Sequence, residues 1–202
     1  MTERGMIFNA EMVRAVLDGS KTQTRRIMKS QPMPHPACEG DFWFRCNKTR
    51  SMIKVSDFTP RNGPLPDAHE YFSMCCPFGA VGDRLWVRET WARYNIDQNS
   101  HEMAYRATAP DDWPKEGRWR PSIHMPRWAS RITLEITGVR VERLNDISED
   151  DAKAEGAPTE CCVIGDKHFL GFRSLWRSIY GADSWQANPW VWVIEFKRVE
   201  GQ

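Results

Sequence analysis

The stretch RITLEITGVRVERL, residues 131–144, decides the fold class, because apolar and polar residues alternate in it as they do in a half-buried β-strand. The apolar positions are Ile132, Leu134 and Ile136 and, after a break at Gly138, Val139 and Val141. Residues 82–91 repeat the alternation, and residues 190–199 form a nearly continuous apolar and aromatic run typical of a central strand. The core is therefore predicted to be a β-sheet.

Short helices are predicted around these strands. Ser148 is a favourable helix N-cap, acidic residues fill the turn that follows, and Gly156 ends the segment. Residues 6–18 read as a strand followed by a short helix, and apolar residues recur at helical spacing over 169–179. Strands mixed with a few helices, without βαβ regularity, predict an α+β protein: a mixed β-barrel flanked by short helices.

Two long stretches, at about residues 30–80 and 95–127, lack this periodicity and are predicted to be irregular insertions. The first is crowded with prolines and holds two candidate short strands, at 41–45 and 52–55. Since 202 residues suit one domain, we interpret residues 1–202 as a single domain that carries both insertions.

Composition limits the classes of function. The net charge of +1 excludes a polycation that binds nucleic acid over its whole surface, so any anion site must come from local clustering. No apolar run is long enough to span a membrane, and the N-terminus lacks a signal-peptide core, so we expect a cytoplasmic protein. Its six cysteines are then expected to be reduced thiols. No cofactor is predicted, although a zinc site in the first insertion stays an alternative, with the candidate ligands His35, Cys38, Cys46, Cys75 and Cys76.

A basic segment follows the first predicted helix. Four cations fall within nine residues, with no acid among them: Lys21, Arg25, Arg26 and Lys29. One interpretation is contact with phosphates. Another is nucleophilic catalysis by Thr24, with Lys21 as its base if burial and the neighbouring arginines depress the lysine pKa. That chemistry needs a turn to bring the two side chains to one side, because i and i+3 point to opposite faces of a plain strand. A solvated basic turn is the third interpretation.

Two carboxylates are candidates for the same site. Glu155 ends its predicted helix, where the helix dipole disfavours a negative charge by up to about 1 kcal/mol, which marks it as a possible functional acid. Glu89 shares the apolar face of its strand with Leu85 and Val87, so it is expected to need a buried partner, for which a cation of residues 21–26 would serve. Either residue could instead be an exposed glutamate.

Aromatic and basic residues are interleaved in the second insertion. Trp119 lies between Arg118 and Arg120, and the segment 126–128 reads Pro-Arg-Trp. This pattern suits base stacking beside phosphate contacts, and the chain has an unusually large number of tryptophans, ten. The alternative is that these rings simply fold onto the barrel.

The basic segment DGSKTQTRR, residues 18–26, resembles the G-x-K-x-x-x-x-R signature of the ASCH domain, a relative of the PUA RNA-binding fold. GDRLWV (82–87), ITLEIT (132–137) and VIEF (193–196) resemble the later strands of that family in the same order. The long form with LWVRETW at 85–91 looks like ASCH proteins carried by phages and prophages. Within the superfamily, the sequence is similar to the small bacterial N4-acetylcytidine amidohydrolases, which lack insertions of this length.

The resemblance implies an amidohydrolase that removes an acyl group from the exocyclic nitrogen of a cytidine-type nucleoside. Lys21 would be the base, Thr24 the nucleophile and Glu155 the acid, with Arg26 on the substrate carbonyl or the developing oxyanion. Further candidates for substrate binding are Arg25, Trp86, Glu89, Trp119 and Arg120. The expected partner is a modified nucleoside or single-stranded RNA. An RNA-binding or ribonuclease-like module and a phage morphogenesis protein remain alternatives.

Overall fold

The main sheet of the computed structural model has five strands: β1 Glu3–Ile7, β2 Gln23–Ile27, β6 Arg84–Arg88, β9 Thr133–Arg143 and β10 Trp190–Arg198. Their spatial order is β1-β6-β9-β10-β2. The structure describes residues 1–58, 73–94, 102–159 and 167–199. Strand β1 pairs with β6 in parallel, and the other neighbours are antiparallel. The strand predictions are confirmed, and the described part of the sheet is open, with β1 and β2 at its edges.

A β-bulge explains the break in the alternation of β9. Glu195 pairs with Gly138 and the next residue, Phe196, pairs with Ile136, so Thr137 is an extra residue in β9. The extra residue shifts the side-chain alternation by one position. Ile136 and Val139 therefore face the same apolar core, in which both are buried.

Four helices are described, and they cover the two faces of the sheet unequally. They are α1 Ala10–Leu17, α2 Glu149–Ala154, α3 Lys167–Tyr180 and α4 Ala182–Gln186. The first, α1, packs against the inner core cluster, which contains Trp192 and Ile194 of β10. The other three cover the outer face, where Val191 and Val193 point. The predicted helices and the α+β class are confirmed. None of these helices has the length and hydrophobicity needed to cross a bilayer.

The insertions contain two small sheets. The strands β3 Met33–Pro34, β4 Phe42–Arg45 and β5 Met52–Lys54 form the first, which confirms the two predicted short strands. The strands β7 Trp91–Tyr94 and β8 Glu102–Tyr105 form a two-stranded ribbon. The prediction of irregular structure is therefore wrong at β8, because four residues with a single buried member, Ala104, are too short a pattern to identify.

The cysteines that the structure describes are free thiols, at Cys38, Cys46, Cys75 and Cys76. Among the described residues, no three His, Cys, Asp or Glu side chains are gathered as a metal site would require. Cys161 and Cys162 lie outside the described residues.

Candidate functional site

Backbone hydrogen bonds place the basic segment between the C-terminal ends of α1 and α2. The N–H of Lys21 donates to the carbonyl of Ala15 in α1, at 2.9 Å. The N–H of Thr22 donates to the carbonyl of Ala154 in α2, at 2.8 Å, and Lys21 forms an isolated β-bridge with Glu155. The segment then continues directly into β2. The two helix ends thus fix the position of Lys21 before the strand begins.

Lys21 and Glu155 form a buried ion pair. The Lys21 Nζ donates to the Glu155 Oε2 at 2.8 Å and to the Glu155 carbonyl oxygen at 2.8 Å. The side chains are 0% and 3% exposed, respectively. Removal from water lowers the pKa of the Lys21 ammonium, the Glu155 carboxylate opposes that effect, and Arg26 and Arg25 lower the pKa further, with a net decrease. Lys21 is therefore a lysine that gives up its proton more readily than an exposed one.

Gly156 allows this close approach of α2 to Lys21. Its φ is +68°, a left-handed conformation that favours glycine at the end of a helix. A Cβ atom at this position would lie 2.8 Å from the Lys21 Cβ and 2.7 Å from the Ala15 Cβ. Both the backbone conformation and the space therefore require glycine directly after Glu155.

The outer side of the site is a network of ion pairs around Arg25. Its guanidinium lies 3.3 Å from the Glu155 Oε1, 2.9 Å from the Glu142 Oε2 and 3.3 Å from the Asp151 Oδ2. Arg140 pairs with Glu142 and Asp151 in turn. The Arg25 side chain is fully buried. It contacts the Oε1 atom of Glu155, the oxygen that Lys21 does not use, and it presents no surface to a substrate. Its predicted contact with a substrate therefore does not fit this arrangement, since these carboxylates surround it.

Thr24 and Arg26 point to the inner face of β2. They pair with Ile194 and Trp192 of β10, which belong to the inner core. Thr24 is buried, and Arg26 is half-buried and donates to the Ile7 carbonyl at 2.8 Å. The Phe8 ring joins the parts of the site, because its centroid is 5.5 Å from the Arg26 guanidinium and 6.0 Å from the Lys21 Nζ.

The structure thus brings together Lys21, Glu155 and the strand that carries Thr24. The hydrogen bonds of the Lys21 ammonium go to Glu155, and none joins it to the Thr24 hydroxyl. Catalytic hydrogen bonds are often longer before a substrate binds, so this arrangement leaves the pairing of Lys21 with Thr24 as a prediction.

Glu89 is buried as predicted, but the prediction of its partner is wrong. Its carboxylate accepts hydrogen bonds from the Arg131 guanidinium, at 2.9 and 3.0 Å, instead of from residues 21–26. Arg131 precedes β9 and reaches Glu89 because β6 and β9 are adjacent. The backbone next to Glu89 contacts Phe8, whose N–H donates to the carbonyl of Arg88 at 3.1 Å.

The remaining predicted residues lie in other parts of the molecule. Trp86 covers Gly5 on the outer face, opposite to the inner face that Leu85 occupies, and Arg88 lies over its ring. Trp119 is stacked on Trp113, with ring centroids 4.1 Å apart. Trp86 and Trp119 therefore belong to packing layers separate from the one that contains Thr24.

Arg120 belongs to an aromatic surface next to the β7–β8 ribbon. Its guanidinium lies over the buried ring of Trp91, 5.3 Å from the centroid. Trp128 packs edge-on against Trp91 and is 60% exposed, and Arg93 lies 5.6 Å from its centroid. Of the predicted aromatic residues, Trp128 is the one most accessible to a ligand.

Sequence reasoning missed two parts of the site. Phe8 follows β1 and has the appearance of an ordinary core residue, so no pattern connects it with cations. In the sequence, Asp151 is an acid in the first turn of a predicted helix and Glu142 is a residue near the end of a strand. Their common contact with Arg25 forms only when α2 packs on the sheet.

No protein-family model matches the sequence, and no curated protein matches it. A solved structure to which the chain is similar is the ASCH domain from Lactobacillus crispatus JV V101, with 13% sequence identity. The match covers 98% of this chain and 79% of that one, with a TM-score of 0.40.

Proposed function

We propose that the protein is an amidohydrolase that removes an acyl group from the exocyclic nitrogen of a cytidine-type nucleoside. The observation that supports this proposal best is the buried Lys21–Glu155 pair, 2.8 Å between Nζ and Oε2, at the start of the strand that carries Thr24. A buried lysine with a lowered pKa is the kind of base that can activate a hydroxyl nucleophile.

The base form of Lys21 arises within the pair. When one proton passes from the ammonium to the Glu155 carboxylate, the pair becomes an amine and a carboxylic acid, with no exchange with solvent. Burial lowers the free-energy cost of this neutral form, because it penalises both charges of the ion pair. Arg25 stays on the other carboxylate oxygen of Glu155.

The reaction then follows in two balanced stages. Lys21 takes the hydroxyl proton of Thr24 while the Thr24 oxygen bonds to the acyl carbon. The C–N bond then breaks, and Glu155 protonates the exocyclic amine of the cytosine, which leaves. Water next attacks the acyl-threonine ester and gives one proton to the Glu155 carboxylate, while the Lys21 ammonium returns its proton to the Thr24 oxygen. This releases the carboxylic acid and restores both the Thr24 hydroxyl and the neutral pair. Arg26, at the inner face, stabilises the negative charge on the acyl oxygen.

The test measures release of cytidine from N4-acetylcytidine by the wild type and by Lys21→Met and Thr24→Val. Each substitution is expected to lower kcat by about 10²–10⁴-fold, the usual contribution of a general base or its nucleophile. Thr22→Val is the matched control, because Thr22 is an exposed threonine of the same segment. Circular dichroism verifies that each variant is folded. Unchanged turnover in both Lys21→Met and Thr24→Val excludes the mechanism.

Single-stranded RNA binding is a second candidate function, and the exposed Trp128 favours it. A ring that is 60% exposed, with a guanidinium 5.6 Å from its centroid, offers stacking and charge at one place. This function is independent of Thr24, so the two candidates can be tested separately.

A further inference from the structure

A cavity of about 250 Å³ lies between the end of β2 and the first insertion. One wall belongs to the main sheet, through Met28 and Trp192, and the other belongs to the first insertion, through Phe44 and Phe78. Phe44 and Trp192 meet edge to face with centroids 5.6 Å apart. The walls are therefore largely aromatic and apolar, as suits a flat ring.

Positive charge surrounds this apolar space. Among the residues that the structure describes, three cations line the cavity, Lys29, Arg45 and Lys48, and no carboxylate does. Lys48 is fixed in place by the Met74 carbonyl, to which its Nζ donates at 2.6 Å. Lys29 and Arg45 are exposed, and no ion pair with a carboxylate of the described residues neutralises them. The site is complementary to a ring that carries an anionic group.

The cavity is continuous in sequence and in sheet face with the proposed active site. Trp192 pairs directly with Arg26 across β10 and β2. Thr24, Arg26 and Met28 alternate along one face of the chain, and a rise of about 3.3 Å per residue separates the first and the last by about 13 Å. A substrate that engages both Thr24 and the cavity therefore has to span about 13 Å.

We propose that this cavity binds a pyrimidine nucleotide unit, with the ring in the apolar space lined by Phe44, Phe78 and Trp192 and the phosphate at Lys29 and Arg45. This inference rests on the proposed function and deepens it. The substrate class becomes an acylated cytidine that carries a neighbouring nucleotide, in preference to a free nucleoside. The nucleotide unit can come from a free nucleotide or from an RNA strand, and the two sources share the ring and the phosphate.

Two cysteines of the cavity allow binding to be measured without activity. Cys46 and Cys75 line it, whereas Cys38 lies outside it, partly exposed and 3.2 Å from the Lys54 Nζ. Burial opposes ionisation of Cys46, but hydrogen bonds from Thr49 and from Cys75 outweigh it and lower the pKa of the Cys46 thiol. Cys46 is only 2% exposed, so its alkylation requires the cavity to open, and a ligand that binds the closed cavity slows the reaction. Alkylation of Cys38 is the internal control.

The experiment follows alkylation of Cys46 and Cys38 by iodoacetamide, peptide by peptide, with cytidine, cytidine 5′-monophosphate or a cytidylyl dinucleotide added. At ten times its Kd, the monophosphate is expected to slow the reaction of Cys46 by about tenfold, from simple occupancy, and to leave Cys38 unchanged. Cytidine alone is expected to protect weakly. The double variant Lys29→Ala/Arg45→Ala is expected to lose the protection. Lys115→Ala/Arg177→Ala, which removes the same charge from exposed positions outside the cavity, is expected to keep it.

A kinetic comparison separates this inference from the proposed function. The kcat/KM for an acetylated dinucleotide is expected to exceed that for N4-acetylcytidine by about tenfold or more, the value of one good phosphate contact, and to fall to the nucleoside value in Lys29→Ala/Arg45→Ala. Equal hydrolysis of both substrates without protection of Cys46 overturns the cavity inference and leaves the amidohydrolase intact. Protection of Cys46 by nucleotide with no hydrolysis of either substrate overturns the proposed function and leaves the cavity site. Protection of Cys46 by the free nucleotide but not by the dinucleotide shows that the bound nucleotide unit does not come from an RNA strand.

Discussion

The Lys21 ammonium donates to two oxygen atoms of Glu155, the Oε2 and the main-chain carbonyl, each at 2.8 Å. The residues are 134 positions apart in sequence, and their contact joins the start of β2 to the end of α2. Burial of an ion pair is costly unless both partners are well hydrogen-bonded. Here the Oε1 of Glu155 is also used, by Arg25.

The asymmetry of this pair predicts unequal effects on stability. Glu155→Gln leaves two buried cations, Lys21 and Arg25, without their shared carboxylate, and is expected to lower the free energy of unfolding by about 3–5 kcal/mol. Lys21→Met leaves Glu155 paired with Arg25 and is expected to cost less than about 2 kcal/mol. Urea unfolding measures both. Lys153→Met, at an exposed position of the same helix, is the control and is expected to stay within about 0.5 kcal/mol of the wild type. Equal losses for the two buried positions contradict the arrangement.

The lowered pKa of Lys21 predicts a dependence of stability on pH. Between the pKa of Lys21 in the folded protein and about 10.4 in the unfolded chain, the unfolded state binds more protons, so stability rises with pH in that window. The wild type is therefore expected to gain stability relative to Lys21→Met as pH rises from 7 to 10. Burial raises the pKa of Cys75 to about 12 and that of Cys76 to about 11, and these shifts make stability fall as pH rises. Both proteins contain the two cysteines, so this contribution cancels in the stability difference between wild type and Lys21→Met. Parallel stability curves for the two proteins contradict a lowered pKa.

The sequence predicted more of the fold than of the site. The bulge at Thr137 was visible as a break in the alternation of β9, because a bulge shifts the periodicity that identifies the strand. Lys21 and Glu155 were both identified as candidates, but from separate arguments about charge and the helix dipole. The partner of Glu89 was misassigned because Arg131 enters the alternation of residues 131–144 only as a polar position, and pairing across β6 and β9 is a property of the assembled sheet.

Alanine substitutions at Gly156 and Gly19 distinguish the effect of packing at the site on stability from the effect of backbone strain. Both follow helices with positive φ, +68° and +83°, so alanine at either position costs roughly 1–2 kcal/mol from conformation alone. A Cβ at Gly19 meets nothing within 4 Å, whereas at Gly156 it meets the Cβ atoms of Lys21 and Ala15. Gly156→Ala is expected to be less stable than Gly19→Ala by about 1–3 kcal/mol, from overpacking, as measured by urea unfolding. It is also expected to lower turnover of N4-acetylcytidine, since Glu155 moves with Gly156. Similar losses for both variants contradict the tight contact.

Trp128 provides the clearest test of the RNA-binding alternative. Stacking on one exposed ring contributes about 1–3 kcal/mol per base, so Trp128→Ala is expected to weaken binding of a short single-stranded RNA by about 5–150-fold. Ile123→Ala is the matched control, because Ile123 is a large apolar residue with 57% exposure on a nearby turn, without a cation over it. Trp119→Ala is expected to have little effect, since Trp119 already stacks on Trp113. Fluorescence anisotropy of labelled RNA at two salt concentrations measures all three. Equal RNA affinity of Trp128→Ala and the wild type excludes this surface as the stacking platform, because Trp128 then contributes nothing to the free energy of RNA binding.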